Sequence, residues 1–304
     1  MPTESAPLIV EQRGPALWMR INREERRNAL NPDVIAGIHA AVNLAASDPT
    51  VRALVLTGVG QKAFCAGADL SRGTGVFADG LDEPTTDFGR LARAVRQLGI
   101  PLIGRIKGDC VAGGMGLMAL CDLAIASDRA RFGLPEARVG VFPMQVLVYL
   151  RRMIHPRNVN ELCLTGDLVS AARAEAMGMV NEVVAYEALD ARVERLIERV
   201  CGLSPVALKR GKAAINALDA MGFHDALAFA EAQIALVSRT EDAREGLAAF
   251  NEKRKPVWAT LPTRPTGPTG PTASTASTGS NQSTVATGSA ASSGSTEPPG
   301  GPSR

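Results

Sequence analysis

The sequence predicts an α/β protein with a helical C-terminal part and a disordered tail. Three observations lead to this fold class. Strand and helix patterns alternate through the first half of the chain, which is typical of helices packed on sheets. Helical periodicity dominates from about Val146 onward. A segment of almost only Thr, Ser, Pro, Gly and Ala follows Trp258.

The first half contains four apolar segments with strand character and three helical segments. The predicted strands are Ala16–Ile21, Val51–Thr57, Leu102–Ile106 and Leu123–Ala126. The predicted helices are Asp33–Ala46, with Asn31 or Asp33 near its cap, Thr86–Leu98, and a helix from a Gly-rich turn to Leu120. Their alternation predicts a layered sheet-and-helix core.

The second half is predicted to be nearly all helix until the tail begins. The helices are Ala171–Met177, Ala188–Cys201, Pro205–Leu218, Phe223–Val237 and Glu241–Glu252. The tail has too few large apolar residues to offset its ordering entropy. We therefore divide the chain into a core at 1–200, a helical oligomerisation region at 201–258 and a disordered low-complexity tail at 259–304.

Composition excludes several classes of protein. The 33 basic and 31 acidic residues give a net charge of +2, which suggests neither a nucleic-acid nor a membrane partner. The five cysteines are odd in number and form no CxxC pair, so neither a metal site nor a disulfide framework is expected. No apolar run reaches the roughly 20 residues of a membrane span, and no targeting segment is visible. We expect a cytoplasmic protein without a metal or redox cofactor.

Three segments have the composition of a ligand site. Ala63–Leu70 follows a predicted strand and is rich in small residues, which allow backbone N–H groups to approach a ligand. Lys107–Gly116 is a Gly-rich loop that leads into a helix N-terminus, where N–H donors are free. Arg131–Pro143 is turn-rich and carries one acid, Glu136, among apolar neighbours. Each segment alone is more typical of a structural turn, and Glu136 alone of a cap or surface acid, than of a site.

Together, in this order and spacing, the segments resemble the crotonase (enoyl-CoA hydratase/isomerase) superfamily from about Ile9 to Trp258. Further matching segments are Asn22–Leu30, Leu164–Gly166, Ala176–Val183, Ser204–Lys209 and Glu245–Trp258. The resemblance implies a spiral of ββα repeats. It also implies an acyl group bound as a coenzyme A thioester, with coenzyme A as part of the substrate.

The resemblance assigns roles by motif position. The backbone N–H groups of Ala68 and Gly113 would form an oxyanion hole for the thioester oxygen. Coenzyme A would lie near Arg26, Arg27 and the Cys65–Ala66 backbone, and Phe142 and Met144 would line a greasy acyl pocket. Phe250 and Lys253 would reach the ligand of a neighbouring subunit, since family members form trimers or pairs of trimers. We therefore expect a homotrimer or hexamer.

The acid–base residues depart from the pattern of two-glutamate hydratases. Glu136 stands at one of the two positions, whereas Gly116 stands at the other. A single carboxylate in an apolar pocket suits proton transfer between two carbons, because burial raises its pKa toward neutrality. Three alternatives stay open: a hydratase/isomerase with one Glu, a Δ3-Δ2 isomerase without hydratase activity, and a catalytically weak acyl-CoA-binding scaffold.

Overall fold

The computed structural model describes residues 6–71, 73 and 85–259, and these contain two β-sheets. The first sheet has the strand order β1-β2-β3-β5-β7-β10, and the second has the order β4-β6-β8-β9. The first sheet contains β1 (Leu8–Arg13), β2 (Ala16–Ile21), β3 (Ala53–Gly58), β5 (Leu102–Ile106), β7 (Leu123–Ser127) and β10 (Glu182–Val184). The second contains β4 (Ala63–Cys65), β6 (Asp109–Val111), β8 (Arg131–Gly133) and β9 (Val169–Ser170).

Helices follow the strands and fill the C-terminal part of the described chain. They are α1 (Pro32–Ser47), α2 (Asp87–Gln97), α3 (Gly113–Leu120), α4 (Met144–Met153), α5 (Pro156–Thr165), α6 (Ala171–Ala176), α7 (Leu189–Cys201), α8 (Pro205–Leu218), α9 (Phe223–Val237) and α10 (Glu241–Asn251). The Asn31 side chain caps α1 by accepting the Val34 N–H at 2.9 Å.

The chain repeats one unit of two strands and a helix. β3, β5 and β7 run parallel in the first sheet, and each is followed directly by a strand of the second sheet, β4, β6 and β8. A helix follows each strand pair before the chain returns to the first sheet. The expected α/β spiral of ββα repeats is therefore confirmed.

The first sheet separates two apolar clusters. Alternate residues of β2 face opposite sides, as a strand requires. Leu17, Met19 and Ile21 join the larger cluster with α1 to α5. Ala16 and Trp18 join the smaller cluster, which α7 covers with Leu189, Val193 and Leu196. The larger cluster faces the second sheet, and it holds the side chains on which the candidate site is built.

The long elements predicted from the sequence agree with the structure to within one or two residues, and β2, β5, α8 and α9 match at both ends. The short strands β4, β6, β8 and β10 were missed, as were β1, α4 and α5. Three residues are too few to show the alternation that identifies a strand. The predicted disordered tail falls on residues 260–304, which lie outside the described part, so that expectation stays a prediction.

No helix within the described ranges is long and apolar enough to cross a lipid bilayer.

Candidate active site

The loop that carries Ala68 is fixed by hydrogen bonds on both sides of that residue. The Leu30 N–H donates to the Gly67 carbonyl at 2.7 Å, and the Asp69 N–H donates to the Leu30 carbonyl at 2.8 Å. These two bonds form a parallel bridge between Leu30 and Ala68 that uses neither polar group of Ala68 itself. The Ala68 N–H therefore points away from Leu30.

Gly113 is the first residue of α3, so its N–H has no acceptor within the helix. Ala112 before it has φ 51° and ψ −125°, an unusual conformation for a residue with a Cβ. The Ala112 N–H donates to the Gly133 carbonyl at 3.0 Å, and this bond fixes the turn against β8. Across the described residues, neither the Ala68 nor the Gly113 amide donates a hydrogen bond.

The two loops touch each other through their backbones. A Cβ on Gly67, which has φ +90°, would lie 2.6 Å from the Ala112 Cβ and 3.0 Å from the Gly113 nitrogen. A Cβ on Gly113 would lie 3.5 Å from the Ala68 nitrogen. Two free amides lie side by side here, one of them at a helix N-terminus, and such a pair can stabilise negative charge on one oxygen atom.

Glu136 lies in a 3-10 turn, Pro135–Val139, directly after β8. β8 pairs with β6 so that Gly133 is opposite Val111. Glu136 follows Gly133 by three residues, which limits its Cα to about 10 Å from that of Gly133. The structure therefore brings Glu136 and the paired amides to the same end of the second sheet.

The Glu136 carboxyl group is partly desolvated and has one oxygen atom without a partner. Its Oε2 atom is buried and, among the described residues, has no hydrogen-bond partner. Desolvation by burial raises the pKa of Glu136 to about 6, although a hydrogen bond from its own backbone N–H opposes this. A carboxyl group in this range can accept a proton near neutral pH and release it again.

Apolar side chains fill the space in front of Gly116. A Cβ there would lie 2.8 Å from the Phe88 Cζ and 3.2 Å from the Val146 Cγ2. Phe88 and Val146 are both buried, at 9% and 5% exposure. The second acid of the two-glutamate pattern is therefore not only absent from the sequence; its place is occupied by α2 and α4. No sequence pattern indicates that Phe88 contacts Gly116.

The expected coenzyme A segments are joined by hydrogen bonds. The Ala66 N–H donates to the Arg27 carbonyl at 3.1 Å. The buried Asn28 amide donates to the Ala63 carbonyl at 2.9 Å. The side chains of Arg26 and Arg27 are exposed, whereas Cys65 is fully buried and burial raises the pKa of its thiol to about 12. Cys65 is therefore buried as a whole, and Ala66 beside it is half-buried.

The remaining predicted residues are more scattered. Phe142 packs against the larger cluster, whereas Met144 at the start of α4 is 67% exposed. Phe250 in α10 is 81% exposed. Lys253 follows that helix with φ 55°. Their roles stay predictions.

The C-terminal helices are anchored away from the amides of Ala68 and Gly113. Arg52, directly before β3, donates to the Trp258 carbonyl at 3.4 Å and to the Leu203 carbonyl at 2.7 Å. Ala68 follows the other end of β3 by way of β4. Trp258 packs on Gly246 of α10, at 3.1 Å from a Cβ built there. Within one chain, the anchor of α10 therefore lies at the opposite end of β3 from the loops that carry Ala68 and Gly113.

The Asp69 carboxylate holds its own loop. It forms an ion pair with Arg23 at 2.7 Å, and this pair with the bonds from Ser71 lowers the pKa of Asp69 to about 2. The segment that would cover an acyl group, Ser71–Gly89, falls mostly on residues 72 and 74–84, which lie outside the described residues.

The α/β spiral carries two free amides and a half-buried carboxyl group at one end of its second sheet, an arrangement that can stabilise an oxyanion and transfer a proton. The family model for enoyl-CoA hydratase/isomerase matches residues 12–261. The chain therefore belongs to the enoyl-CoA hydratase/isomerase family.

Individual relatives agree with this assignment. The chain is 35% identical over 252 residues to a putative enoyl-CoA hydratase of Thermus thermophilus, covering 82% of this chain and 99% of that protein. It is 33% identical to a crotonyl-CoA hydratase of Syntrophomonas wolfei, covering 82% and 96%. A solved enoyl-CoA hydratase structure from Mycobacterium smegmatis matches with a TM-score of 0.76 at 32% identity, covering 84% of this chain and 100% of that one.

Proposed function

We propose that this enzyme moves a double bond in an acyl-CoA thioester, with Glu136 as its single acid–base group and without adding water. The observation that carries this proposal is the packing of Phe88 and Val146 against Gly116. That packing leaves no place for a second carboxylate to orient and deprotonate a water molecule. Moving a proton from one carbon to another needs only one group of intermediate pKa.

The proposed reaction consists of two proton transfers through one carboxyl group. The Glu136 carboxylate takes a proton from C2 of a 3-enoyl-CoA, and the electron pair moves into the thioester carbonyl to give a dienolate oxyanion. The Ala68 and Gly113 amides donate to that oxygen, and one such donor is worth about 2.7–4 kcal/mol. Glu136 then returns the proton to C4, which leaves a 2-enoyl-CoA. Substrate and product have the same atoms.

Hydration is the second candidate function, and the names of the relatives favour it. The relatives from Thermus thermophilus and Syntrophomonas wolfei are both described as hydratases. Water addition through Glu136 alone requires that another group hold the water. Gln145 at the start of α4 is one amide to consider, but its Nε2 donates to the Thr86 hydroxyl. Isomerisation is therefore the better supported proposal.

Mass analysis of the product tests the choice. The enzyme is incubated separately with crotonyl-CoA and with a 3-enoyl-CoA, and products are separated by chromatography. A shifted double bond at unchanged mass supports isomerisation, whereas the gain of one water identifies a hydratase. Conversion of neither substrate would favour a weak acyl-CoA-binding scaffold and contradict both enzyme proposals.

We also propose the remaining substrate contacts. Arg26 and Arg27 would bind the phosphates of coenzyme A, and the Cys65–Ala66 backbone would face the adenine. The exposed position of both arginines and the Ala66-to-Arg27 hydrogen bond support this arrangement. Phe142 and Met144 would line the acyl chain. Neutralising Arg26 and Arg27 together should raise KM for the acyl-CoA with little effect on kcat.

Self-association through α8, α9 and α10 is a further part of this proposal. Large apolar side chains on these helices are exposed, which marks an interaction surface. Ile215, Phe223, Ile234, Leu247 and Phe250 are between 65% and 81% exposed. We expect a homotrimer or hexamer in which Phe250 and Lys253 approach a neighbouring subunit's ligand. Light scattering coupled to gel filtration would measure the mass, and a monomer would contradict this.

A further inference from the structure

A cavity of about 290 Å³ lies on the α7 side of the first sheet, at the carboxyl ends of β2, β3 and β5. Arg20 and Arg105 reach it because they follow Trp18 and Ile103 by two residues and so share their face of the sheet. Its charged lining residues are Arg13, Arg20, Arg105, Lys107, Asp190 and Glu194. The cavity shares no lining residue with the proposed acyl-CoA site.

Lys107 is a buried cation without a partner. Its residue is 6% exposed, and its ammonium group forms no hydrogen bond or ion pair with any described residue. Burial lowers the pKa of Lys107, Arg105 and Arg20 act in the same direction, and Glu24 and Asp190 oppose them, with a resulting pKa of about 8. The ammonium group opens onto the cavity, so an anion bound there would offset part of the cost of burying its charge.

Arg20 supplies a second free donor to the same cavity. Its Nε atom is buried without an acceptor among the described residues, and its Nη2 lies 3.4 Å from Glu11. The other two arginines are already engaged. Arg105 donates to Asp190 at 2.5 Å, and Arg13 donates to Glu11 at 2.8 Å. The unsatisfied donors of the cavity are therefore concentrated on Arg20 and Lys107.

We propose that this cavity binds a phosphoryl group, either as inorganic phosphate or as a small phosphomonoester. Glu11 pairs with Arg13 and Arg20, Asp190 pairs with Arg105, and Glu194 also lines the cavity, so the donors left for an anion are the Arg20 Nε and the Lys107 ammonium group. A guanidinium fork and an ammonium group are the side chains that bind phosphate oxygens by charge-assisted hydrogen bonds. Free Nε and Nζ donors can meet two oxygens of one tetrahedral anion.

Calorimetric titration of the full chain with inorganic phosphate, in a phosphate-free buffer, tests the site. We expect one saturable site per chain. Lys107→Met and Arg20→Met should each weaken binding about tenfold, since each removes a charge-assisted hydrogen bond. Arg199→Met is the matched control, because Arg199 is an exposed cation of α7 outside the cavity, and it should leave the affinity unchanged.

A variant expected to bind phosphate more tightly controls for variants that lose binding only because they fail to fold. Asp190→Asn frees Arg105 and removes a negative charge from the rim, and its side chain is 68% exposed, so the fold should tolerate it. We expect it to bind phosphate severalfold more tightly. Binding to the unaltered chain should weaken above about pH 8 as Lys107 loses its proton, and Lys107→Met should lose this pH dependence.

Competition identifies the source of the phosphoryl group. Displacement of phosphate by a small phosphomonoester, with coenzyme A ineffective, supports a separate organic phosphate site. Displacement by neither supports a site for inorganic phosphate. Displacement by coenzyme A would make the cavity part of the acyl-CoA site and overturn the proposal. Absence of saturable binding would also overturn the proposal. So would phosphate affinities of Lys107→Met and Arg20→Met that equal the affinity of the unaltered chain.

Discussion

The two sides of the candidate active site are built from different parts of the chain. On one side, the Ala68 and Gly113 amides belong to the backbone, and the loops that carry them touch through Gly67, Ala112 and Gly113. On the other side lie one titratable side chain, Glu136, and the apolar groups in front of Gly116.

The two sides differ in how they respond to substitution. Backbone donors need only the correct turn, so side-chain substitutions around them disturb charge stabilisation little. The acid–base side changes its chemistry with a single residue, because the loss of one carboxylate removes a proton-transfer group. Oxyanion binding and proton transfer can therefore diverge independently.

The largest expected effect comes from removing the acid–base group while leaving the amides intact. Glu136→Gln keeps the shape of the side chain but cannot accept a proton. We expect turnover of a 3-enoyl-CoA to fall by about 10²- to 10⁴-fold, the contribution usual for general acid–base catalysis. Binding of a non-reactive CoA thioester, measured by calorimetry, should persist. Unchanged turnover would remove Glu136 from the mechanism.

The backbone side can be broken by a single methyl group. A Cβ at Gly114 would lie 2.3 Å from the Cys65 carbonyl oxygen, so Gly114→Ala must move the start of α3 away from the Ala68 loop. We expect kcat to fall about 10²- to 10³-fold, as when one oxyanion donor is misplaced. Gly211→Ala in α8 is the control, because a Cβ there meets nothing within 4 Å. It should keep full activity, and an equal loss in both variants would contradict the assignment.

The filled space at Gly116 can be reopened by two substitutions together. Gly116→Glu alone should destabilise the fold by about 1–3 kcal/mol, since overpacking displaces Phe88. Adding Phe88→Ala should recover part of that stability, as measured by denaturant unfolding. Phe88→Ala alone is the control for the cavity it creates. If the double variant folds and gains water addition to crotonyl-CoA, the apolar packing is what excludes hydration here.

The smallest effect concerns the raised pKa of Glu136, about 6. Because the folded state favours the protonated form, ionisation of Glu136 destabilises the fold as pH rises through about 6. Glu136→Gln should therefore raise the melting temperature at about pH 8, and the gain should vanish below about pH 4.5, where both states are protonated. Activity should rise with pH through the same pKa. A melting temperature insensitive to the substitution at both pH values would contradict this burial effect.

Sequence reasoning named candidate site residues but not the strands that carry them. The segments around Ala68, Gly113 and Glu136 were recognisable, and β6–β8 pairing places the last two at the same end of the second sheet. The strands β4, β6 and β8 that position these segments were not predicted, because three residues carry too little periodicity. Phe88 was missed because its contact with Gly116 joins two helices 28 positions apart.

By itself, the sequence determined the long elements, the order of the motifs and the replacement of an acid by Gly116. These depend on local periodicity, on turn residues and on which side chain is present at a position. Only the tertiary structure decided that Phe88 and Val146 occupy the vacated space, and that Lys107 and the unpartnered Nε of Arg20 line the same cavity. Packing and desolvation arise between residues distant in the chain, so no local pattern encodes them.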